Sequence, residues 1–258
     1  MFDQAVEVPA TEPVARLSAR ALQFGGIHAL ELLPGRLALH FPSVLTPAEC
    51  AELIAGVYAA REAWTEEPAG HQYTLGRSYH LHHEQQREEE YFAQAASADA
   101  LVRRSTPGLQ GRMVALLRLL VKDRVAQRAG WCGACVHIFP AGGRCAEQGG
   151  ELHFDIDGLE PAALSAGTPA LTCALMLQPA QEGGELRIWD RLYAGEASVA
   201  EPDPREASVL CSYGAGDLVV LDSRRLHRVA RFGGTRDRIT VTLRAAYVRE
   251  RGLWEVWL

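Results

Sequence analysis

The chain has 258 residues, of which 48% are hydrophobic and 22% charged, and its formal net charge is −6. These values are typical of a folded globular protein, and the negative charge argues against a surface for nucleic acid or anionic membrane. Because no apolar run reaches the roughly 18 residues of a spanning helix, we expect no membrane partner. The length suits one domain over residues 1–258.

Residues 1–13 carry Asp3 and Glu7 and lack the basic and then apolar order of a signal peptide. The six cysteines are scattered, which is typical of a reducing compartment rather than of a disulfide framework. Cys132 and Cys135 form a C-x-x-C pair, but no second pair completes a zinc site, so we interpret them as small residues before a buried strand. These features predict a cytoplasmic protein.

The N-terminal half, residues 1–130, is predicted to be mainly helical. Three helices are expected, at approximately residues 46–61, 84–96 and 107–126. The first begins at Thr46-Pro47-Ala48-Glu49, a capping box with proline at the first helical position. The third has apolar residues at helical spacing, which fits packing against a sheet. A loosely amphipathic segment at 14–30 and a short strand at 36–41 precede them.

The segment 64–83 is irregular and rich in aromatic residues and histidines, although no spacing within it is diagnostic of a metal site. Loops of this kind often carry binding residues. Its side chains, among them those of His71, Tyr73 and Arg77, are therefore candidates for the mouth of a pocket.

From residue 131 onward the chain changes to short β runs separated by Gly and Pro. Eight strands are predicted, at residues 136–139, 151–155, 170–178, 185–189, 208–212, 217–222, 226–231 and 238–248. This spacing favours a sandwich or jelly roll. The run at 170–177 is apolar throughout, which predicts a central strand buried on both faces. Helices that precede the strands and cover one face of the sheet define an α+β arrangement.

His153 and Asp155 stand two residues apart on a predicted strand, so their side chains point to the same face. His227, on a distant strand, can complete a set of two histidines and one carboxylate. Such a set holds a metal and leaves positions open for oxygen and a chelating co-substrate, as is typical of non-haem Fe(II) oxygenases. The sequence therefore predicts a metal site formed by these three residues.

The last predicted strand separates apolar from polar side chains. Ile239, Val241 and Leu243 share one face, and the other face holds Arg236, Arg238, Thr240 and Thr242. If the apolar face packs on the N-terminal helices, the polar face looks toward the metal. We expect Arg236 to point inward, because the same register follows from an inward His227.

At these positions the chain resembles the Fe(II)- and 2-oxoglutarate-dependent dioxygenases, specifically their prolyl-4-hydroxylase-like branch. The resemblance rests on His153-x-Asp155, His227 and Arg236. Three further stretches are similar to signatures of that branch, at residues 139–143, 183–186 and 214–223. The similarity covers roughly residues 131–248.

The resemblance implies a double-stranded β-helix of the jelly-roll or cupin type, with the N-terminal helices packed on one sheet. It implies Fe(II) bound by His153, Asp155 and His227, with 2-oxoglutarate and O2 as co-substrates and ascorbate as an aid. It further implies that Arg236 pairs with the distal carboxylate of 2-oxoglutarate, for which a two-pronged guanidinium is suited, with Arg238 as the second candidate. A carboxylate at position 155 favours hydroxylation, while desaturation and cyclisation stay open.

Two departures from the branch matter. Its usual turn tyrosine is replaced by Phe139, so the hydrogen bond of that tyrosine to the co-substrate must come from elsewhere or be absent. The stretch 142–150 is long and is a candidate lid over the substrate.

Two other classes of protein use a similar site. A zinc hydrolase would need a general base beside the metal and would not need Arg236. A cupin-type binding protein would hold a metal without turnover. Oxygen consumption that depends on 2-oxoglutarate separates all three.

For the substrate, we expect a small polar metabolite, such as a free amino acid or imino acid on a biosynthetic route. An amino acid on a carrier protein or in a peptide is the alternative. The candidate pocket residues are Tyr73, Arg77, His137, Arg144 and Trp189, and Glu147 is a candidate acceptor for an ammonium group. The sequence makes no prediction of the oligomeric state.

Overall fold

The computed structural model describes residues 12–24, 26–67, 72–196 and 198–258. The α-helices of these residues are α1 (Ala19–Gln23), α2 (Ala29–Leu32), α3 (Pro47–Ala59), α4 (Tyr79–Glu84), α5 (Glu88–Ser105), α6 (Leu109–Val121), α7 (Arg144–Gln148) and α8 (Pro161–Ser165). Two short 3-10 helices span Arg61–Ala63 and Arg249–Arg251. Among the described residues, no helix combines the length and the apolar character that crossing a membrane requires.

The strands that the same residues form are β1 (Val14–Arg16), β2 (Ala38–Phe41), β3 (Thr65–Glu66), β4 (Tyr73–Leu75), β5 (Val125–Gln127), β6 (Cys135–Phe139), β7 (Ala170–Gln178), β8 (Glu182–Gly183), β9 (Leu186–Leu192), β10 (Ser208–Cys211), β11 (Leu218–Asp222), β12 (Arg225–Val229), β13 (Phe232–Gly233), β14 (Arg238–Val248) and β15 (Leu253–Trp257).

The strands form a large sheet, a small sheet and a two-stranded ribbon. The large sheet has ten strands in the order β1-β2-β11-β7-β14-β6-β4-β3, with β15 beside β14 and β5 beside β15. The small sheet has the order β10-β9-β12, and the ribbon pairs β13 with β8. Strands from the N-terminal half therefore share the large sheet with those of the C-terminal half, and the chain has a mixed α and β architecture.

Strand β7 lies at the centre of the large sheet, between β11 and β14. Its side chains at 170–177 are all buried, as their continuous apolar character predicts. Leu175 belongs to the main core, which also contains residues of α3 and α6. Met176, which points to the opposite face, packs in a second core with Leu186 and Ile188 of the small sheet. Helices thus cover one face of the large sheet, and the small sheet lies against the other.

The helix starts follow local chemistry. In α3 the side chain of Thr46 accepts from the backbone of Glu49, and the Glu49 carboxylate accepts from the backbone of Thr46, so the predicted capping box is confirmed. Helix α6 buries the apolar face that the spacing predicts. It ends at Val121 rather than near residue 126, because Lys122 adopts a left-handed conformation with φ 50° and the chain then enters β5.

Three other predicted elements differ from the structure. The segment 14–30 contains β1, α1 and α2 rather than one amphipathic element. The helix predicted at 84–96 is α5, which begins only at Glu88 and continues to Ser105; α4 ends at Glu84, and Gln86 between the two helices has φ 55°. The strand predicted at 151–155 is reduced to a single antiparallel bridge between His153 and His227. Residues 1–11, most of the segment that lacks the order of a signal peptide, lie outside the described residues.

Candidate active site

A cavity of about 770 Å³ is lined by residues of both sheets and of the segment 149–157. Strands β6, β7, β11 and β14 contribute from the large sheet, and β12 contributes from the small sheet. Helix α7 borders the cavity through Arg144, Cys145 and Gln148, so the long stretch at 142–150 lies beside the site, where the sequence places a candidate lid.

The side chains of His153, Asp155 and His227 meet in this cavity. Each offers one ligand atom, and these atoms all lie within 4.8 Å of one another. Nε2 of His227 is 3.3 Å from Oδ2 of Asp155, and Nε2 of His153 is 3.8 Å from Oδ1. Adjacent ligands of an octahedral ion with bonds of about 2.1 Å are separated by about 3 Å. The three donors are therefore spaced so that they could hold one divalent metal ion.

The hydrogen bonds of the two histidines set their tautomers. Nδ1 of His153 lies 2.9 Å from the carbonyl oxygen of Glu151, and Nδ1 of His227 lies 2.8 Å from that of Arg225. A carbonyl oxygen can only accept, so each Nδ1 carries the proton and donates. The lone pair of each histidine is consequently on Nε2, the atom that faces Asp155, as metal ligation requires.

Asp155 is buried and held by three donors. Oδ1 accepts from Nη2 of Arg244 at 2.6 Å and from its Nε at 3.0 Å, and Oδ2 accepts from the hydroxyl of Thr172 at 2.8 Å. Burial by itself would raise the pKa of Asp155, but Arg244 and the two histidines hold this pKa well below its ordinary value. The carboxylate is therefore ionised and fixed in position before any metal binds.

A second cation, Arg238, also lines the cavity. It is 1% exposed, and its guanidinium donates to the carbonyl of Gly184 at 2.9 Å and to the hydroxyl of Tyr213 at 2.7 Å. Among the described residues, no carboxylate lies within ion-pair distance of it. Since an arginine stays charged and a buried charge without a counterion is costly, this end of the cavity is suited to an anionic ligand.

The preference for Arg236 as the inward arginine is wrong. Arg236 is exposed, and its guanidinium donates to the carbonyl oxygens of Pro179 and Ala180, outside the cavity. The physical reason is that β14 begins only at Arg238, so the strand alternation does not extend back to residue 236. The face assignment within β14 holds, because Arg238, Thr240 and Thr242 all line the cavity.

The structure brings His137 and Arg144 to the cavity but not the other predicted substrate residues. In β4, Tyr73 precedes Thr74, which pairs with His137. Successive side chains of a strand alternate, so Tyr73 points to the face opposite to that of Thr74. Trp189 follows Ile188, which pairs with His227, and so points to the other face; it packs with Phe154 and Leu226 and does not line the cavity.

Arg77 lies beyond the end of β4, where Nη1 is 3.3 Å from Nε2 of His82. His71 lies outside the described residues. Cys132 and Cys135 are buried free thiols with sulfurs 3.4 Å apart. Across the described residues, the His153, Asp155 and His227 group is the one set of three or more side chains that could share a metal ion.

Sequence reasoning missed Arg244, Tyr213 and Glu67, all of which line the cavity. The alternation of polar residues in β14 continues one step beyond Thr242 and could have identified Arg244. No comparable signal marks the other two, because Tyr213 lies in a loop before β11 and Glu67 in a loop after β3.

The chain matches no protein-family model. No curated protein sequence matches it either. Solved structures do resemble it. The non-haem alpha-ketoglutarate-dependent epimerase SnoN from nogalamycin biosynthesis, in complex with Fe3+, alpha-ketoglutarate and nogalamycin RO, gives a TM-score of 0.54 at 20% identity over 83% of this chain and 82% of that chain. An N-substituted L-amino acid dioxygenase from Burkholderia ambifaria AMMD gives 0.53 at 16% identity over 93% of this chain and 90% of that chain. The chain therefore has the fold of these enzymes.

Proposed function

We propose that this protein is an Fe(II)- and 2-oxoglutarate-dependent dioxygenase of the prolyl-4-hydroxylase-like branch. It hydroxylates an unactivated C–H bond of a small polar metabolite, most simply a free amino acid or imino acid. The observation that carries the proposal is that one cavity holds both the His153, Asp155 and His227 group and a buried arginine, Arg238, with no described carboxylate beside it.

The proposed core is a double-stranded β-helix. Its two layers are strands β11, β7, β14 and β6 of the large sheet and strands β10, β9 and β12 of the small sheet. Support comes from the apolar side chains shared between the layers, among them Met176 and Val219 from one and Leu186 and Ile188 from the other. Both layers contribute proposed binding residues to the cavity, because Arg238 lies on β14 and His227 lies on β12.

Nε2 of His153, the carboxylate of Asp155 and Nε2 of His227 would hold Fe(II). Iron bound there supplies the coupling of O2 reduction and 2-oxoglutarate decarboxylation to hydroxylation of the substrate, with ascorbate as an accessory reductant. The part of this chain is to position the reactants and to exclude water from them. Thr172 and Arg244 hold Asp155, and the carbonyls of Glu151 and Arg225 orient the two imidazoles.

Arg238 and Tyr213 would bind the distal carboxylate of 2-oxoglutarate. The Tyr213 hydroxyl accepts from Nη2 of Arg238, so its own proton is available to a ligand oxygen. Nη1 of Arg238 has no hydrogen-bond partner among the described residues, which leaves a second donor for the same carboxylate. Tyr213 thus offers the phenol that the branch has at the position of Phe139, and its ring lies 5.7 Å from the guanidinium carbon of Arg238.

The two other classes of protein fit less well. A zinc hydrolase or a cupin-type binding protein would use the three metal ligands but has no need for a buried arginine and phenol in the same cavity. The carrier-bound or peptidyl amino acid remains the alternative substrate within the proposed chemistry.

The test is succinate formation and oxygen uptake by the purified protein with Fe(II), ascorbate and 2-oxoglutarate. A panel of free amino acids and cyclic imino acids is added, beside peptidyl and carrier-bound versions. We expect slow turnover of 2-oxoglutarate without substrate, faster succinate formation with a free amino acid, and a product heavier by one oxygen atom. Absence of any oxygen uptake that depends on 2-oxoglutarate would overturn the assignment.

A further inference from the structure

A second polar cluster, separate from the three metal-binding candidates, lies in the same cavity. It consists of Glu67, Gln72, Thr74 and His137, and we call it the Glu67 cluster. Thr74 on β4 is the register partner of His137 on β6, and Glu67 follows β3. Glu67 is 5% exposed and His137 is 7% exposed, and both line the cavity. A carboxylate and an imidazole buried to this extent require specific partners.

The hydrogen bonds of the Glu67 cluster fix the proton on His137. The Thr74 hydroxyl donates its one proton to Oε1 of Glu67 at 2.5 Å, and the Gln72 amide donates to Oε2. Nδ1 of His137 lies 3.2 Å from the Thr74 oxygen, 3.4 Å from the Gln72 amide nitrogen and 3.7 Å from Oε1 of Glu67. Because the Thr74 proton is already committed, its oxygen, the nearest of the three atoms, accepts from Nδ1–H, which leaves the lone pair of the neutral ring on Nε2.

Nε2 of His137 has no hydrogen-bond partner among the described residues, although the side chain is 8% exposed and lines the cavity. A ring nitrogen with a free lone pair on a residue that lines a cavity is an unused acceptor. It marks the place where a ligand can donate a hydrogen bond.

The charges around His137 determine which kind of hydrogen-bond donor a ligand should present to it. Burial by itself would raise the pKa of Glu67, but the neighbouring His137, with help from His80 and Thr74, lowers this pKa overall, so the carboxylate is ionised. In the described part of the chain, no lysine or arginine lies within ion-pair distance of Glu67. Glu84 lines the same cavity, also without a described arginine or lysine at that distance. This wall of the cavity is therefore negative and accepting.

We propose that the Glu67 cluster binds a protonated amino group of the substrate. The substrate class is then a primary or N-alkylated amine, whose N–H groups donate to Nε2 of His137 and whose positive charge is balanced by Glu67. This proposal rests on the proposed function, because it assigns the substrate end of that same site. A neutral amide at the same position would supply no positive charge to balance Glu67.

Anaerobic binding measurements test the proposal without turnover. The protein loaded with Fe(II) and 2-oxoglutarate is titrated calorimetrically with free and N-methylated L-amino acids, each beside its N-acetyl derivative. At least one amine should bind, and its N-acetyl derivative should bind at least about tenfold more weakly, the loss expected for one charge-assisted hydrogen bond. Equal binding of every amine and its N-acetyl derivative would overturn the proposal.

Two variants locate the effect. Glu67→Gln keeps the shape of the side chain and removes its charge, and we expect it to weaken amine binding by about 10- to 100-fold while binding of 2-oxoglutarate is unchanged. Glu147→Gln is the matched control, because Glu147 is exposed on α7 and does not line the cavity, and it should bind amines as the wild type does. Wild-type amine affinity in Glu67→Gln would contradict the assignment.

A second variant keeps the proposal testable if Glu67→Gln does not fold. His137→Gln leaves the carboxylate in place and removes the ring acceptor, and it should also lose the preference for the amine over the N-acetyl derivative. Retention of that preference in a folded His137→Gln protein would likewise overturn the proposal. Failure of the wild type to bind 2-oxoglutarate in the same calorimeter would instead refute the dioxygenase assignment, so the two failures are distinguishable.

Discussion

Nη2 of Arg244 lies 2.6 Å from Oδ1 of Asp155, and both side chains are 4% exposed. Nε of the same arginine donates to the same oxygen, and Nη1 lies 3.3 Å from Oδ2 of Asp157. The carboxylate that faces the two histidines is therefore held by a buried guanidinium from β14, the strand that also carries Arg238. Contacts of this kind orient a metal ligand and commonly change metal affinity by about 10- to 100-fold.

The first prediction concerns Arg244. In Arg244→Met the side chain keeps a similar length but loses its charge, so Asp155 is left buried and without its main partner. We expect the affinity for Fe(II) or Mn(II) to fall by about 10- to 100-fold. Arg244→Lys, which retains a positive charge, should lose less. The measurement is a metal titration of the apo protein, and an unchanged affinity in Arg244→Met would show that the contact is only structural.

The second prediction compares two arginines two residues apart. Arg238→Leu should raise the KM for 2-oxoglutarate by at least about 100-fold, because a carboxylate that loses its buried partner costs about 3–5 kcal/mol. Arg236→Leu should leave this KM within about twofold, since Arg236 is exposed and contacts only backbone carbonyls. Steady-state kinetics at saturating substrate give both numbers. The reverse ranking would mean that 2-oxoglutarate does not bind at Arg238.

The third prediction concerns the metal. Mn(II) should raise the melting temperature of the wild-type protein, because an ion that binds only the folded state stabilises it. His153→Ala, Asp155→Ala and His227→Ala should each lose this increase and all activity while keeping the far-UV circular dichroism of the wild type. His83→Ala serves as the matched control, because His83 is an exposed histidine on α4 outside the cavity. A normal increase in any of the three site variants would remove that residue from the proposed ligand set.

The parts of the fold that sequence predicts well are those with local signals. The capping box at Thr46 and the continuous apolar run of β7 each occur within a few residues, and both are confirmed. Strands β3, β4, β5 and β15 carry weaker signals. They are two to five residues long, and β4, β5 and β15 pair with strands distant in sequence, as β5 does with β15. Pairing over such sequence distances is set by tertiary packing rather than by propensity.

The same distinction explains the site. His153 and Asp155 are two residues apart, so the sequence alone places their side chains on one side of the chain. The bridge between His153 and His227 brings the third residue to them. The choice between Arg236 and Arg238 was wrong although the strand was predicted to begin at residue 238, where β14 does begin, because the alternation of faces was extended two residues beyond the start of the strand. Glu67 could not be linked to His137, because their contact depends on the pairing of β4 with β6.

The last prediction concerns stability at alkaline pH. Burial raises the pKa of Cys145 to about 11 and the pKa values of Cys173 and Cys211 to about 12. These thiols are 1%, 2% and 4% exposed, so little solvent screening reduces the effect. In the unfolded chain the thiols have ordinary pKa values and lose their protons first as the pH rises. The folded state then binds more protons than the unfolded state, and the stability that is fully present below about pH 8.5 is lost as the pH rises toward 11–12.

Each buried thiol should lower the free energy of unfolding by about 1.4 kcal/mol for each pH unit above the ordinary thiol pKa. We expect urea unfolding under reducing conditions to give a clearly lower free energy at pH 10 than at pH 8. Cys173→Ala should be less stable at pH 8, because it leaves a small cavity in β7, but it should lose less stability between the two pH values than the wild type does. If the difference between pH 8 and pH 10 is the same in Cys173→Ala as in the wild type, the thiol at position 173 does not contribute to the alkaline loss.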